Sequence, residues 1–372
     1  MPAGAMTGRP RRILLSADAV GGVWQYSLEL AQGFSRRGIA VILAVLGPSP
    51  ADDLIARAGE IETLSLVVLD GQLDWTAATP ADVERSAASL SALAAREEAD
   101  LIHLHSPALA GATRWPAPVI VTAHSCLATW WRTMREGPMP SDFVWRVEQT
   151  AAGMRSAEAI IAPSRSFAMA LAEAYGSDIP VIPIRNGRTP AHPAAVCREA
   201  LIFTAGRLWD EGKNMIALDH AAALHDLRIF AAGSDKGPHG ASIALPHLTL
   251  LGRLNDADVT GWHHRASVYA STALYEPFGL SVLEAAQAGC VLVLSDIPTF
   301  RELWGGAAYF VPPDDPDAIG WALRHVLAEP YGLASRGADA RTRADRYGSE
   351  RMTAETLDAY GAVLAKRHMA AE

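Results

Sequence analysis

Short apolar runs rich in Val, Ile and Leu alternate along the chain with longer stretches in which apolar positions recur every three or four residues. The first pattern marks strands buried on both faces, and the second marks the helices that cover them. In the first half the predicted strands are 12–17, 39–45, 64–68, 101–104, 119–123, 159–162 and 180–184, with helices at 23–35, 81–95, 143–155 and 166–175. The pattern then restarts, with strands at 201–204, 228–232, 248–251, 266–270, 291–294 and 308–310 and helices at 213–224, 278–288 and 315–327. A repeated strand–helix alternation of this length predicts an α/β protein of two doubly wound domains. The turn-rich stretch 186–195, with Pro190 and Pro193, is the expected linker. The domains expected are therefore residues 1–187 and 188–348, followed by an amphipathic helical segment, 349–372, that packs back across the domains.

A length of 372 residues, half of them hydrophobic, supports two cores. The 32 basic side chains are outnumbered by 41 acidic ones, and both halves are mildly acidic. Neither half is a basic platform, which argues against a nucleic-acid partner. Cys126, Cys197 and Cys290 lie far apart and form neither a disulfide framework nor a metal-binding spacing, so a reducing compartment is expected. The apolar run after Arg12 is too short for a signal-peptide core or a membrane span, so the expected location is cytoplasmic, with peripheral membrane contact left open.

Candidate chemistry gathers where predicted strands end. Gly21-Gly22 follows the first strand and opens a helix, where a tight turn and exposed amides suit an anion such as a diphosphate; a plain turn would need glycine too. The full dinucleotide fingerprint is absent, which speaks against a nicotinamide enzyme. After the first strand of the second half comes Gly206-Arg207-Leu208-Trp209-Asp210-Glu211-Gly212-Lys213-Asn214. Arg207 offers a planar fork and Lys213 a mobile point charge for phosphate oxygens. Lys213 is one of only three lysines in a chain that otherwise uses arginine, although an ordinary solvated charge would look the same. Further on, Tyr275-Glu276-Pro277-Phe278-Gly279-Leu280-Ser281-Val282-Leu283-Glu284 places Glu276 in a loop and Glu284 among apolar helix positions. A carboxylate there must be paired or face a wet site, so both a ligand role and a salt bridge are open. His124 ends a strand beside a loop and is favoured for a site role over His105, and His105 over His103, which sits within a strand. No carboxylate or cysteine pattern joins them into a metal site, and no cofactor is expected.

These motifs, above all Glu276, seven intervening residues and Glu284, resemble those of the retaining glycosyltransferases of family 4. The resemblance runs from Gly21-Gly22 to Glu302. It implies a GT-B architecture, two Rossmann-like domains facing each other across a cleft, the first binding the acceptor and the second a nucleotide-sugar donor. It implies that Gly21 and Gly22 lie near the donor diphosphate and that Arg207 and Lys213 clamp it. Glu284 would meet the ribose, Glu276 the transferred sugar, and Phe278, Gly279 and Leu280 would supply amides. His124 would contact the sugar and aid catalysis, and Ser234 would lie near the base. Transfer would retain anomeric configuration without a metal, onto a sugar, lipid-linked or small-molecule acceptor. The chain departs from the family at Gly261-Trp262-His263-His264-Arg265, where a more aliphatic and polar helix is usual. Trp130 and Trp131 are individual to this chain and suit sugar stacking, lipid contact or plain packing. A nucleotide-sugar epimerase or hydrolase of the same architecture, and a noncatalytic sugar-nucleotide binding protein, are the alternatives.

Overall fold

The computed structural model describes residues 9–176, 180–191, 197–237 and 240–371. The chain forms two compact units, one made of the described residues up to Gly187 together with the final helix from Ser349, the other of Arg188–Gly348. Part of the expected linker, residues 192–195 with Pro193, lies outside the described residues.

The first unit holds β1 (Arg12–Ala17), β2 (Ala40–Val45), β3 (Leu64–Val68), β4 (Leu101–Leu104), β5 (Val119–Thr122), β6 (Ala159–Ala162) and β7 (Val181–Pro183). They form one parallel sheet in the order β3-β2-β1-β4-β5-β6-β7. Leu14 is in register with Ile42 on one side and Ile102 on the other. The strand cores are almost uninterrupted apolar runs because helices cover both faces; Ile13, Leu14 and Leu15 are fully buried. The helix Gly22–Ser35 buries Trp24, Tyr26, Leu30 and Phe34 against the sheet. The final helix, Ser349–Ala371, lies on it: Tyr360 meets Phe34 with ring centroids 5.7 Å apart, and Glu350 pairs with Arg37 at 2.9 Å.

The second unit holds β8 (Glu199–Ala205), β9 (Ile229–Ala232), β10 (Thr249–Gly252), β11 (Ala266–Ser271), β12 (Val291–Ser295) and β13 (Ala308–Val311), parallel and ordered β10-β9-β8-β11-β12-β13. In both sheets the first strand of the unit is central and the chain reverses its direction of growth beside it. That reversal opens a crevice at the carboxyl ends of β1 and β4, and another at those of β8 and β11, where sheets of this kind bind ligands.

The sequence pattern located most of the helices but not 52–59, 107–110, 127–134, 256–265, 298–304 and 330–344. These are short or carry little apolar periodicity. Asp256–Arg265 contains the segment Gly261–Arg265, and its helix is held by packing that no local pattern reports: Trp262 stacks on Phe203 at 5.7 Å, and the Cys290 thiol donates to the His263 carbonyl at 3.0 Å.

Candidate functional site

In the second unit, β8 delivers Gly206 and Arg207 to the carboxyl edge and β11 delivers the run from Thr272 to Glu276. Between them the turn Glu211–Lys213 folds back over the crevice. The Gly212 carbonyl accepts the amides of Leu274 at 2.9 Å and Tyr275 at 3.2 Å, which ties the two loops together. Asp210 accepts the Gly212 amide at 2.9 Å and pairs with Arg207 at 2.7 Å, so it fixes the turn and aims the guanidinium. Asn214 is left-handed at φ 53°; its side-chain amide donates to the Pro313 carbonyl at 2.7 Å, while Thr272 donates to the Asn214 carbonyl at 2.9 Å. With the backbone so held, the Lys213 ammonium donates to the Glu276 carboxylate. Both side chains are mostly buried yet keep a solvent-facing part.

Pro277, Phe278 and Gly279 then lead into the helix Leu280–Ala288. Gly279, at φ 91°, takes a left-handed conformation that residues with a Cβ adopt at a cost. It supplies no side chain, so no side-chain cap hydrogen-bonds the first amides of this helix. The Phe278 ring is buried against Tyr347, 5.9 Å between centroids, which leaves its backbone as the part that faces the crevice. One turn into the helix, Glu284 pairs with Arg188 at 2.8 Å, both side chains mostly buried. Tyr269 lies beneath the two glutamates, bonded to the Ala205 carbonyl at 3.2 Å, and burial pushes its phenol well above the usual range. Ser234 sits at the end of β9, with its hydroxyl donating to the Lys236 carbonyl at 2.7 Å and accepting the Lys236 amide at 3.1 Å. Next to it Gly233, φ 136°, passes so close to Gly206 that a Cβ would meet the Gly206 carbonyl oxygen at 1.8 Å. The structure thus brings Arg207, Lys213, Glu276, Glu284, Phe278, Gly279 and Leu280 to one sheet edge.

The first unit builds its crevice from different chemistry. Gly21 caps and Gly22 begins the helix Gly22–Ser35, and the Asp18 carboxylate accepts the Val20 amide at 2.9 Å in the turn before it. The His103 ring is fully buried and bonded on both nitrogens, to the Tyr360 hydroxyl at 2.6 Å and the Thr122 hydroxyl at 2.6 Å. His124 Nε2 is 3.1 Å from His105 Nδ1, and the edge of the Tyr26 ring packs on both imidazoles, 4.6 and 5.2 Å between centroids. Burial pulls His103 and His124 down to about 3 and holds His105 well below its ordinary value, so all three rings are neutral near pH 7. Burial likewise pushes Tyr26 up to about 12. His124 is therefore a neutral hydrogen-bonding group.

Sequence reasoning overlooked Arg188, Asp210, Tyr26 and Tyr360. Arg188 lies nearly a hundred residues from Glu284, and Tyr360 looks like any apolar position of the last helix. The one usable signal was Glu284 itself, a carboxylate among apolar neighbours that required a partner. Trp130 and Trp131 lie on the helix Leu127–Met134, partly exposed, with Arg135 over the Trp130 ring at 4.8 Å and Phe143 6.0 Å from Trp131. Among the described residues no group of three or more His, Cys, Asp or Glu is placed to hold a metal ion, and no helix is long and apolar enough to cross a membrane.

The family model Glycosyltransferase Family 4 matches residues 20–189, and the model Glycosyl transferases group 1 matches residues 199–329. The chain belongs to glycosyltransferase family 4. The D-inositol 3-phosphate glycosyltransferase of Xylanimonas cellulosilytica is 26% identical, the match covering 93% of each chain. The phosphatidyl-myo-inositol mannosyltransferase of Mycolicibacterium smegmatis is 25% identical over 94% of this chain and 92% of that protein. Among solved structures, sucrose-phosphate synthase from Thermosynechococcus elongatus superimposes with a TM-score of 0.78 at 17% identity, covering 96% of this chain and all of that one. Anabaena HepE in complex with UDP-glucose superimposes with a TM-score of 0.70 at 17% identity, over 94% of this chain and 99% of that one. This family 4 chain accordingly shares the GT-B fold class of such neighbours, with two parallel-sheet α/β domains of seven and six strands.

Proposed function

We propose that the protein transfers a sugar from a nucleotide-sugar donor to an acceptor with retention of anomeric configuration, and that its own cations and amides meet the charge of the departing diphosphate without a metal. The observation that carries this reading is the Lys213–Glu276 pair at the β8/β11 crevice, with Arg207 on the adjoining turn and the uncapped helix start at Leu280. A nucleoside diphosphate leaving a sugar develops negative charge on its terminal phosphate. Lys213, Arg207 and the amides at Gly279 and Leu280 are fixed donors suited to that charge. They are held before any donor arrives, so little reorganisation accompanies the reaction.

In this reading Glu276 has two tasks. It holds the Lys213 ammonium in place and accepts hydrogen bonds from hydroxyls of the transferred sugar. Glu284, oriented by Arg188, accepts from the ribose hydroxyls, and Ser234 lies toward the base. Gly21 and Gly22 give the diphosphate a second set of amides, and His124 donates to the sugar as a neutral ring. The acceptor hydroxyl approaches on the face from which the diphosphate departs, and a phosphate oxygen takes its proton. Catalysis then rests on orientation and on charge stabilisation rather than on an enzyme nucleophile.

UDP sugars are the first donors to try, because HepE was crystallised with one. The decisive measurement is proton NMR of the product formed with and without prolonged chelation. Coupling constants that keep the donor's anomeric configuration, at an undiminished rate in chelator, are the expected result. An inverted product, or activity restored only by a divalent ion, would overturn the mechanism.

A further inference from the structure

We propose that Trp209 is a positioning residue for Arg207: its indole fixes the plane of the guanidinium at the β8 crevice, so that binding of a nucleoside diphosphate depends on it while binding of the bare nucleoside does not. This rests on the glycosyltransferase reading and deepens it, because Arg207 is the more exposed of the two cations that the reading sets against the diphosphate.

The Arg207 side chain is 48% exposed and long, so one contact does not hold it still. Asp210, three residues on, accepts from its Nη2 at 2.7 Å. A hydrogen bond of that kind fixes one corner of the guanidinium and leaves the planar group free to turn about it, and exposed ion pairs hold each other weakly. The second contact is Trp209, whose ring centroid lies 5.8 Å from the guanidinium carbon. At that distance the ring quadrupole attracts the cation. A corner and a ring together define a plane. The donors of the fork that Asp210 does not engage can then meet phosphate oxygens in a set orientation.

The indole is held in its turn by the loop after β9. Leu208 donates its amide to the Ser234 carbonyl at 3.0 Å, which joins the loop that follows β8 to the one that follows β9. Past Ser234 the chain folds back on itself: Lys236 bridges to Ser242, the Gly237 amide donates to the Ala241 carbonyl at 2.7 Å, and the Ile243 amide to the Asp235 carbonyl at 3.0 Å. This fold sets Gly237 against the half-buried Trp209 ring. A Cβ at Gly237 would meet the indole Cδ2 and Cε3 at 2.8 Å, closer than real side-chain contacts allow. The Gly237 backbone lies outside the left-handed region, so it is the indole and not the backbone that excludes a side chain there. The loop after β9 therefore holds the ring, and the ring holds the guanidinium.

The test is calorimetry of UDP, GDP and ADP with the full-length protein, and ligand-observed NMR of the nucleoside of whichever binds best. Trp209→Ala should weaken the diphosphate about three- to fivefold, the worth of an exposed cation–ring contact, and leave the nucleoside at parent affinity, which also certifies the fold. Trp209→Phe keeps a ring face and should restore most of the loss. Gly237→Ala keeps the indole but displaces it, and should weaken the diphosphate as Trp209→Ala does. In an Arg207→Ala background, Trp209→Ala should cost nothing further. A loss in Arg207→Ala with none in Trp209→Ala would overturn the proposal and leave the donor reading in place. Equal loss of nucleoside and diphosphate in Trp209→Ala would overturn it as well, by making the indole a contact of the base or a support of the fold. Parent affinity in Arg207→Ala, or no binding of any of the three diphosphates, would overturn the diphosphate reading itself and the proposal with it.

Discussion

The two sheets share a strand order and both open a crevice beside their central strand, yet they fill it with opposite chemistry. At β8 and β11 the side chains are ion pairs: Arg207 with Asp210, Lys213 with Glu276, Arg188 with Glu284. At β1, β4 and β5 they are mainly uncharged rings and hydroxyls, with His103 held by Tyr360 and Thr122 and His105 held by His124, and the Asp18 carboxylate engaged by the Val20 amide. The same topology therefore sets where a ligand sits without setting what kind it is. Paired charges that keep one face toward solvent can exchange partners with a diphosphate. Buried neutral groups instead fix hydrogen-bond geometry and make any net charge costly.

Acid should separate the two units most. His103, His105 and His124 in the first unit are held below their ordinary value, against His263 alone among the described residues of the second, which burial pulls down to about 3. The unfolded chain binds protons at these sites below about pH 6.5, whereas the folded one binds them only at lower pH, about 3 for His103, His124 and His263. Stability thus falls as pH drops through that window and is flat above it. At pH 5 His103 and His124 in the first unit and His263 in the second each cost about 2 kcal/mol, and His105 adds to the penalty of the first unit. Asp74, pushed upward by burial, acts in the other direction but is a single group. Hydrogen exchange at pH 7 and pH 5 should show segment 101–124 losing protection while segment 266–295 keeps it. Equal loss in both would mean that the rings are solvated and that the contrast is wrong.

Next in size is the loss of a donor cation. Lys213→Ala should lower kcat/KM by about 10²–10³, as removal of one donor to a developing anion does elsewhere. Lys213→Arg should recover charge but not the geometry set by Glu276. Glu276→Gln should depress turnover more than UDP affinity, because its sugar contacts matter only when a sugar is present. Parent rates in Lys213→Ala, with UDP binding unchanged, would move the diphosphate elsewhere.

Much of this layout was legible in the sequence, and the limits of that reading are physical. Strands buried on both faces leave apolar runs that survive any register, and the partly exposed edge strands β3, β7 and β10 are apolar enough to read the same way, so all thirteen were visible. The edge loops were visible because glycine at Gly21 and Gly279 and the isolated Lys213 are costly or unusual choices at those positions. What stayed hidden was pairing over long separations. Glu284 announced a need for a partner but not that Arg188 meets it, and nothing in the last helix distinguishes Tyr360 from its apolar neighbours. The short helix 127–134 was missed because Trp and Thr carry no strong helical preference there.

The Arg188–Glu284 pair gives a smaller, sharper test. If Arg188 only orients Glu284, Arg188→Lys should keep most UDP affinity, while Arg188→Ala and Glu284→Gln should each weaken it about tenfold, about 1.4 kcal/mol, and the double variant should be no worse than either single one. Additive losses by calorimetry would show two independent ligands of the nucleotide.

The smallest effect is expected at Ser234. Its hydroxyl is engaged on both sides of one turn, donating to the Lys236 carbonyl and accepting the Lys236 amide, so it has little left to offer a base directly. Its influence on the donor should pass through the turn that presents Lys236. Removing a half-exposed side-chain hydrogen bond of this kind costs about 0.5–1.5 kcal/mol of local order. Ser234→Ala should therefore weaken UDP binding by only a few-fold, and Ser234→Thr, which keeps the hydroxyl, should restore it. The comparison also separates the two edges once more. The equivalent loss in the first unit, Thr122→Val beneath His103, leaves a buried ring nitrogen without its 2.6 Å partner and should cost about 1–3 kcal/mol of global stability with UDP affinity unchanged. Calorimetry and thermal unfolding on both variants decide it. A Ser234→Ala protein that loses more than tenfold in UDP affinity while its turn stays ordered by NMR would show that the hydroxyl reaches the base after all.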